Sequence, residues 1–236
     1  MMIFCEKWFL FKVYTEAMNS ICYLITGKLT LELVARLQVS FQHVPNKVIS
    51  VWVDEDLRFL DYLHQHGFQI VMNFPPQVKS SANLQAACIV NGLHKIIGMG
   101  FEKCIRVRTD MFFENIEHAT NVIAGQIREK LVCLSGMSSE SPKLWYYLDL
   151  LIAGRCETML KFFSPLMKKD ESRCAEMFWL ETYLGRKCTT KEDVLEVFEF
   201  CGQHLYGQPV LCHWIDKGWE LFQHYIRPGN YFIWYA

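Results

Sequence analysis

The chain lacks several features that would settle its class at once. It has no charge excess, because 24 lysines and arginines stand against 25 aspartates and glutamates in 236 residues. That balance removes the electrostatic footprint of non-specific nucleic-acid binding, and no polybasic run points to a membrane surface. No apolar stretch has the length of a membrane span. The hydrophobic opening "MMIFCEKWFLFKVY" carries Glu6, Lys7 and Lys12 and has no signal-peptide cleavage pattern. Core packing is the first reading of Trp8 and Phe9, and a peripheral contact the second. No internal repeat or low-complexity linker divides the chain. One domain spanning residues 1–236 is therefore expected, with a first half at 20–113 and a more specialised second half at 114–236. The ten cysteines form no dense, regular framework. Cys88, Cys104 and Cys133 sit inside apolar segments, where a free thiol behaves as a small hydrophobe. Reduced thiols, and with them a cytoplasmic location, are the expectation.

An apolar content of 51%, with 14% aromatic residues, gives a chain of this length ample material for a core. The first half alternates regularly. "ICYLITGKL" (21–29) is an apolar run ending at a glycine, and "TLELVARLQVSF" (30–41) has helical spacing with Thr30 as N-cap. "KVISVWV" (47–53) is β-branched and stops at Asp54-Glu55-Asp56; "DLRFLDYLHQHG" (56–67) repeats helically and ends at Gly67. "FQIVMNF" (68–74) predicts a third strand, "ANLQAACIVNGLHKIIGMG" (82–100) a third helix and "KCIRVRT" a fourth strand. Strand, helix, strand, helix, strand, helix, strand is the signature of βαβ units and a mostly parallel sheet flanked by helices, an α/β fold. In the second half, "KLVCLSG" (130–136) and "KLWYYLDLLIAG" (143–154) read as strands, and "CETMLKFFSPLM" and "CAEMFWLETYLG" as helices. The stretch from Cys201 onward gives no clear reading.

Open parallel sheets bind ligands at the carboxyl ends of their strands. Three polar features fall there: Thr26-Gly27, Asp54-Glu55-Asp56 and Arg108-Thr109-Asp110. Asp56 reads best as a helix N-cap. "TGKLT" after the first strand is neither a dinucleotide nor a Walker phosphate fingerprint. A bound nucleotide would then need another counter-charge: Mn²⁺ or Mg²⁺ on a carboxylate at the fourth strand end, or Arg108 itself. An ordinary ion pair between Arg108 and Asp110 is the equal alternative. Cys201-x-x-His204 with Cys212-His213 lacks zinc-knuckle spacing.

The stretch "NLQAACIVNGLHKIIGMGFEKCIRVRTDMFF" resembles the WavE lipopolysaccharide-synthesis family, a group within the GT-A class of nucleotide-sugar glycosyltransferases. The matching residues are Asn83, Gln85, Asn91-Gly92-Leu93, Arg106, Arg108, Thr109 and Asp110. "YYLDLLIAGRCETMLKFF", with Asp149 before Gly154-Arg155, and "CAEMFWLETYL", with Glu176, resemble later pieces of that family. The likeness covers about residues 20–187. It implies a GT-A-like domain with an irregular acceptor-side second half. The implied activity is transfer of a sugar from a nucleoside diphosphate sugar to a hydroxyl of a glycan acceptor. On this resemblance Asp110 is the metal ligand and Thr26, Gly27, Asp54, Asn83, Gln85 and Arg108 contact the nucleotide sugar. Glu176, or second Asp149, is the base of an inverting reaction. The sequence departs from the class in one respect: Arg108 stands where the first acid of Asp-x-Asp is usual. Trp145, Tyr146, Tyr147, Trp179 and Tyr183 are core residues or, second, sugar-stacking platforms. His213 and His224 carry no distinguishing signal as late metal ligands. Two rival readings remain: a catalytically inactive nucleotide- or glycan-binding module of the same fold, and a nucleotidyltransferase.

Overall fold

The structure, a computed structural model, describes residues 19–113, 115–133, 136–138, 145–147, 149–169, 174–200, 211–216 and 219–225. The opening segment with Trp8 and Phe9, and the pair Cys201 and His204, lie outside the described residues.

The alternation in the first half folds as its pattern requires. Strands β1 (Ile21–Thr26), β2 (Lys47–Trp52), β3 (Gln69–Asn73) and β4 (Lys103–Arg108) are separated by helices α1 (Leu31–Ser40), α2 (Leu57–Gln65) and α3 (Ser81–Gly98). Each helix opens on a side chain that supplies an acceptor to an otherwise unpaired N–H. Thr30, Asp56 and Ser80 take the amides of Leu33, Arg58 and Asn83. Asp56 is therefore a cap, held further by Arg58. Gly67 and Gly100, beyond the ends of α2 and α3, have φ of 82° and 89°, the left-handed region glycine enters cheaply.

The second half adds β5 (Met111–Phe113), α4 (Ile116–Gln126), β6 (Leu131–Cys133), β7 (Gly136–Ser138), β8 (Trp145–Tyr147) and β9 (Leu151–Arg155). Then follow α5 (Cys156–Phe163), α6 (Ala175–Leu184), α7 (Lys191–Val197), β10 (Phe198–Phe200), β11 (Leu211–Asp216) and β12 (Trp219–Tyr225). Seven strands join in the order β10-β6-β9-β4-β1-β2-β3. The pairs β3–β2, β2–β1, β1–β4 and β6–β10 are parallel, whereas β9 runs antiparallel to both β4 and β6. This is the expected mostly parallel α/β sheet flanked by helices. A three-stranded sheet, β12-β11-β5, and a β7–β8 pair complete the described strands.

Two sequence expectations are corrected. Within 143–154 the described residues form two short strands, β8 and β9, with a turn at Asp149-Leu150 before β9. Gly154-Arg155 lies in β9 rather than in a turn; a Cβ at Gly154 would stand 2.7 Å from Leu131 Cδ2, so the glycine serves close strand packing. The short β5 and the helices α4 and α7 had no reading in the sequence.

Alternate residues of the strands feed two cores. Tyr23, Ile25, Ile105 and Val107 pack on one face with Leu37, Leu63 and Ile123 of α1, α2 and α4. Cys22, Leu24, Val48 and Cys104 pack on the other with Ile89, Phe163 and Trp179 of α3, α5 and α6. Seven described cysteines are free thiols, all buried but Cys174. Gly92 explains the Asn-Gly-Leu element of α3: a Cβ there would lie 2.3 Å from Leu24 Cδ1. The glycine lets α3 approach β1. Gly92→Ala is expected to destabilise by about 1–3 kcal/mol through overpacking, read as a lower urea midpoint; an unchanged midpoint contradicts this packing.

Candidate active site

The carboxyl ends of β1 and β4 are tied together first. Thr26 and Arg108 are register partners on these strands. The Thr109 amide donates to Thr26 O (3.0 Å) and its hydroxyl to Lys28 O (2.9 Å). Gly27 has φ of 141°, and a Cβ there would meet Thr109 Oγ1 at 2.4 Å. Only glycine fits this turn, so the Thr-Gly after β1 is set by the Thr before Asp110.

Arg106 lies mid-strand between two core residues and is 2% exposed. Its Nε donates to Thr26 Oγ1 at 3.0 Å, and Nη1 donates to the Asp149 carbonyl. Nη1 also faces Asp149 Oδ2 at 3.7 Å. Asp149, 5% exposed, has Arg108 Nη1 at 3.9 Å from Oδ1. Its Oδ2 is buried with no hydrogen-bond donor. Two guanidinium groups thus stand beside this buried carboxylate.

Arg108 holds Asp110 in a two-point pair, Nε to Oδ1 at 3.0 Å and Nη2 to Oδ2 at 2.6 Å. Glu176, in the first turn of α6, completes the group. Burial raises its pKa, the neighbouring Asp149 charge raises it further, and Arg106 works against both. The Cys174 thiol donates to Glu176 Oε2. Burial pulls the Arg108 guanidinium down, but the charges of Asp110, Asp149 and Glu176 outweigh it and hold the group above its ordinary value. Four residues proposed from sequence, Arg108, Asp110, Asp149 and Glu176, are therefore brought together.

The remaining expectations divide. Thr26 turns its hydroxyl inward to Arg106, while Gly27 shapes the turn. Asp54 is exposed just past β2. Glu55 beside it accepts from the Leu29 amide, with both oxygens at 3.3 Å. Asn83 is corrected: its amide bonds the Val78 and Met167 carbonyls at 3.0 Å each and takes the Met167 amide at 2.7 Å. It clasps two loops, and its hydrogen-bonding capacity is used within the protein. Gln85 presents a buried Oε1 with no hydrogen-bond partner. Trp179 is core, packed edge-on to Phe163 at 4.9 Å, and Tyr183 packs on Phe162. Trp145, Tyr146 and Tyr147 lie on β8, and Cys212, His213 and His224 on β11 and β12; their side chains lie outside the description. Sequence reasoning missed Arg106 as a site residue, although a charge between two apolar core positions was its visible signal.

The residues as placed do not fit a divalent metal at Asp110. Both oxygens of that carboxylate accept from Arg108, a cation that would repel a second one. Among the described residues no group of three or more His, Cys, Asp or Glu side chains is disposed to hold a metal ion. No helix among them is long and apolar enough to cross a membrane.

No protein-family model matches the sequence, and no curated protein matches it. Solved structures that are similar include one assigned as a glucose-1-phosphate thymidylyltransferase of Bacillus anthracis, in complex with sucrose. It shares 7% identity over 82% of this chain and 89% of its own, with a TM-score of 0.49. A 4-diphosphocytidyl-2C-methyl-D-erythritol synthase of Anaerococcus prevotii gives 13%, 75%, 95% and 0.47 for the same quantities. A nucleotidyl transferase of Methanothermobacter thermautotrophicus gives 12%, 76%, 87% and 0.46. Glycosyl transfer is not confirmed by them. None of the three is named a glycosyltransferase, and the WavE resemblance gains no support. The fold rests on the strand order and pairing of the sheet itself.

The Glu176 environment makes a signed prediction. Its folded pKa is raised, so the folded chain binds this proton more tightly than the unfolded chain. Stability contributed by the group is present below the unfolded carboxyl pKa and falls as pH rises through the folded value. Glu176→Gln is expected to be more stable than the parent at pH 7, the gap closing below about pH 4. Urea unfolding at both pH values measures it, and a Gln variant less stable at pH 7 refutes the burial argument.

Proposed function

We propose that the chain is a transferase that binds a nucleoside diphosphate sugar at the carboxyl ends of β1, β2 and β4 and passes the sugar to a hydroxyl of a glycan acceptor. One observation carries the reading. Two arginines and three acids from three separate segments converge beside the strand ends where open α/β sheets bind ligands.

The reaction needs the leaving diphosphate neutralised and the acceptor proton removed. The acceptor oxygen bonds to the anomeric carbon as the bond from that carbon to the β-phosphate oxygen breaks. The hydroxyl proton goes to a carboxylate, and the nucleoside diphosphate departs with the electron pair. Glu176 suits the base better than Asp149, because burial raises its pKa and it is not held between two arginines as Asp149 is. Asp149, held between two arginines, orients them instead. Displacement in one step inverts the anomeric centre. Asp54 at the exposed turn after β2 serves base or ribose, and Gln85 offers an unpaired acceptor to a sugar hydroxyl.

Nucleotidyl transfer is the second reading, favoured by the exposed Lys28 in the turn after β1. A sugar phosphate attacking a nucleoside triphosphate needs no base, however, which leaves Glu176 without a task.

A panel of nucleotide sugars separates these. Release of nucleoside diphosphate is expected, with kcat lowered about 10²- to 10⁴-fold in Glu176→Gln and donor affinity kept. Pyrophosphate release from a nucleoside triphosphate and a sugar 1-phosphate, without diphosphate release, overturns the proposal in favour of nucleotidyl transfer. Donor binding with neither product makes the chain a non-catalytic binding module.

A further inference from the structure

A diphosphate at this site needs positive charge, and the carboxylate expected to recruit a metal is already engaged. Asp110 accepts from Arg108 through both oxygens, so a divalent ion must first displace a guanidinium held at 2.6 and 3.0 Å. The exchange gains little, because it removes one charge-assisted pair to make another. Two cations already border the same strand ends. Arg108 ends β4 with about a third of its side chain exposed. Lys28 stands exposed in the β1–α1 turn, and its own carbonyl is tied to Thr109, the next residue after Arg108. The Thr109 bonds and the constrained Gly27 fix these two turns against each other. Asp149 and Arg106 behind them form a mutually compensating pair that sets the Arg108 end of the cluster.

We infer that Lys28 and Arg108 carry the charge of the diphosphate in place of a divalent cation, so that nucleotide binding at this site is metal-independent. The inference rests on the nucleoside diphosphate reading above. Asp110 is then a positioning residue that aims Arg108 and competes mildly with phosphate for it.

Titration calorimetry of the full chain with UDP, GDP, CDP and dTDP, in EDTA and in Mn²⁺, tests it. At least one diphosphate is expected to bind in EDTA within about threefold of its affinity in Mn²⁺. Lys28→Met and Arg108→Met are each expected to weaken it about ten- to a hundredfold, the worth of a charge-assisted hydrogen bond. Asp110→Asn, nearly isosteric, separates the accounts by sign. Binding tightens if Arg108 holds the phosphate, and collapses if Asp110 holds a metal. Arg108→Lys, which keeps the charge, is expected to bind more tightly than Arg108→Met and guards against a misfolded variant. Binding that requires Mn²⁺ and disappears in Asp110→Asn overturns the inference while leaving the nucleotide reading intact. Absence of diphosphate binding in both buffers overturns both.

Discussion

Much in this molecule depends on a buried carboxylate flanked by two arginines. Asp149 has almost no contact with water, and Arg106 and Arg108 on β4 compensate it. Removing one partner of such a buried pair costs about 3–5 kcal/mol, because it leaves an uncompensated charge behind. The chain accepts that vulnerability in the centre of its sheet. Arg106 passes the constraint on: through Thr26 it reaches β1, and through the Asp149 carbonyl it fixes the turn that starts β9. The antiparallel return of β9 beside β4 places Asp149 where Arg108 and Glu176 can feel it.

From that arrangement the site's chemistry follows. Arg106 is spent inward, whereas Arg108 stands one strand position pair further along and reaches the surface. Asp110 pairs with Arg108 at two points, and burial, with the Asp149 charge second, raises the Glu176 pKa. On the proposed function the same charges serve folding and chemistry. Separating the two roles requires readouts of affinity and stability on one variant.

Much of the first half was legible because its periods are clean. The strands β1 to β4 and the helices between them follow from apolar runs, cap residues at Thr30 and Asp56, and Gly67. Arg108 and Asp110 were singled out at a strand end, Asp149 and Glu176 through the family resemblance, and the fold brings them into one place. Other features depend on partners far along the chain. The break of 143–154 at Asp149 is imposed by pairing with β4 and β6, which no local period encodes. Asn83 looked like a ligand contact because nothing in the sequence announces its bonds to Met167, 84 residues away. The two-point pairing of Arg108 with Asp110 was open as an alternative to metal binding. Only side-chain geometry distinguishes them.

The central claim is that the cluster at the end of β4 is a nucleoside diphosphate sugar site. Its most direct test is a structure of the full chain with a bound nucleoside diphosphate. Phosphate oxygens within hydrogen-bonding distance of Arg108, with Glu176 facing the open side beyond the β-phosphate, are the expected result. A nucleotide seated away from the carboxyl ends of β1 and β4, with the Arg108–Asp110 pair and Glu176 untouched, would contradict it.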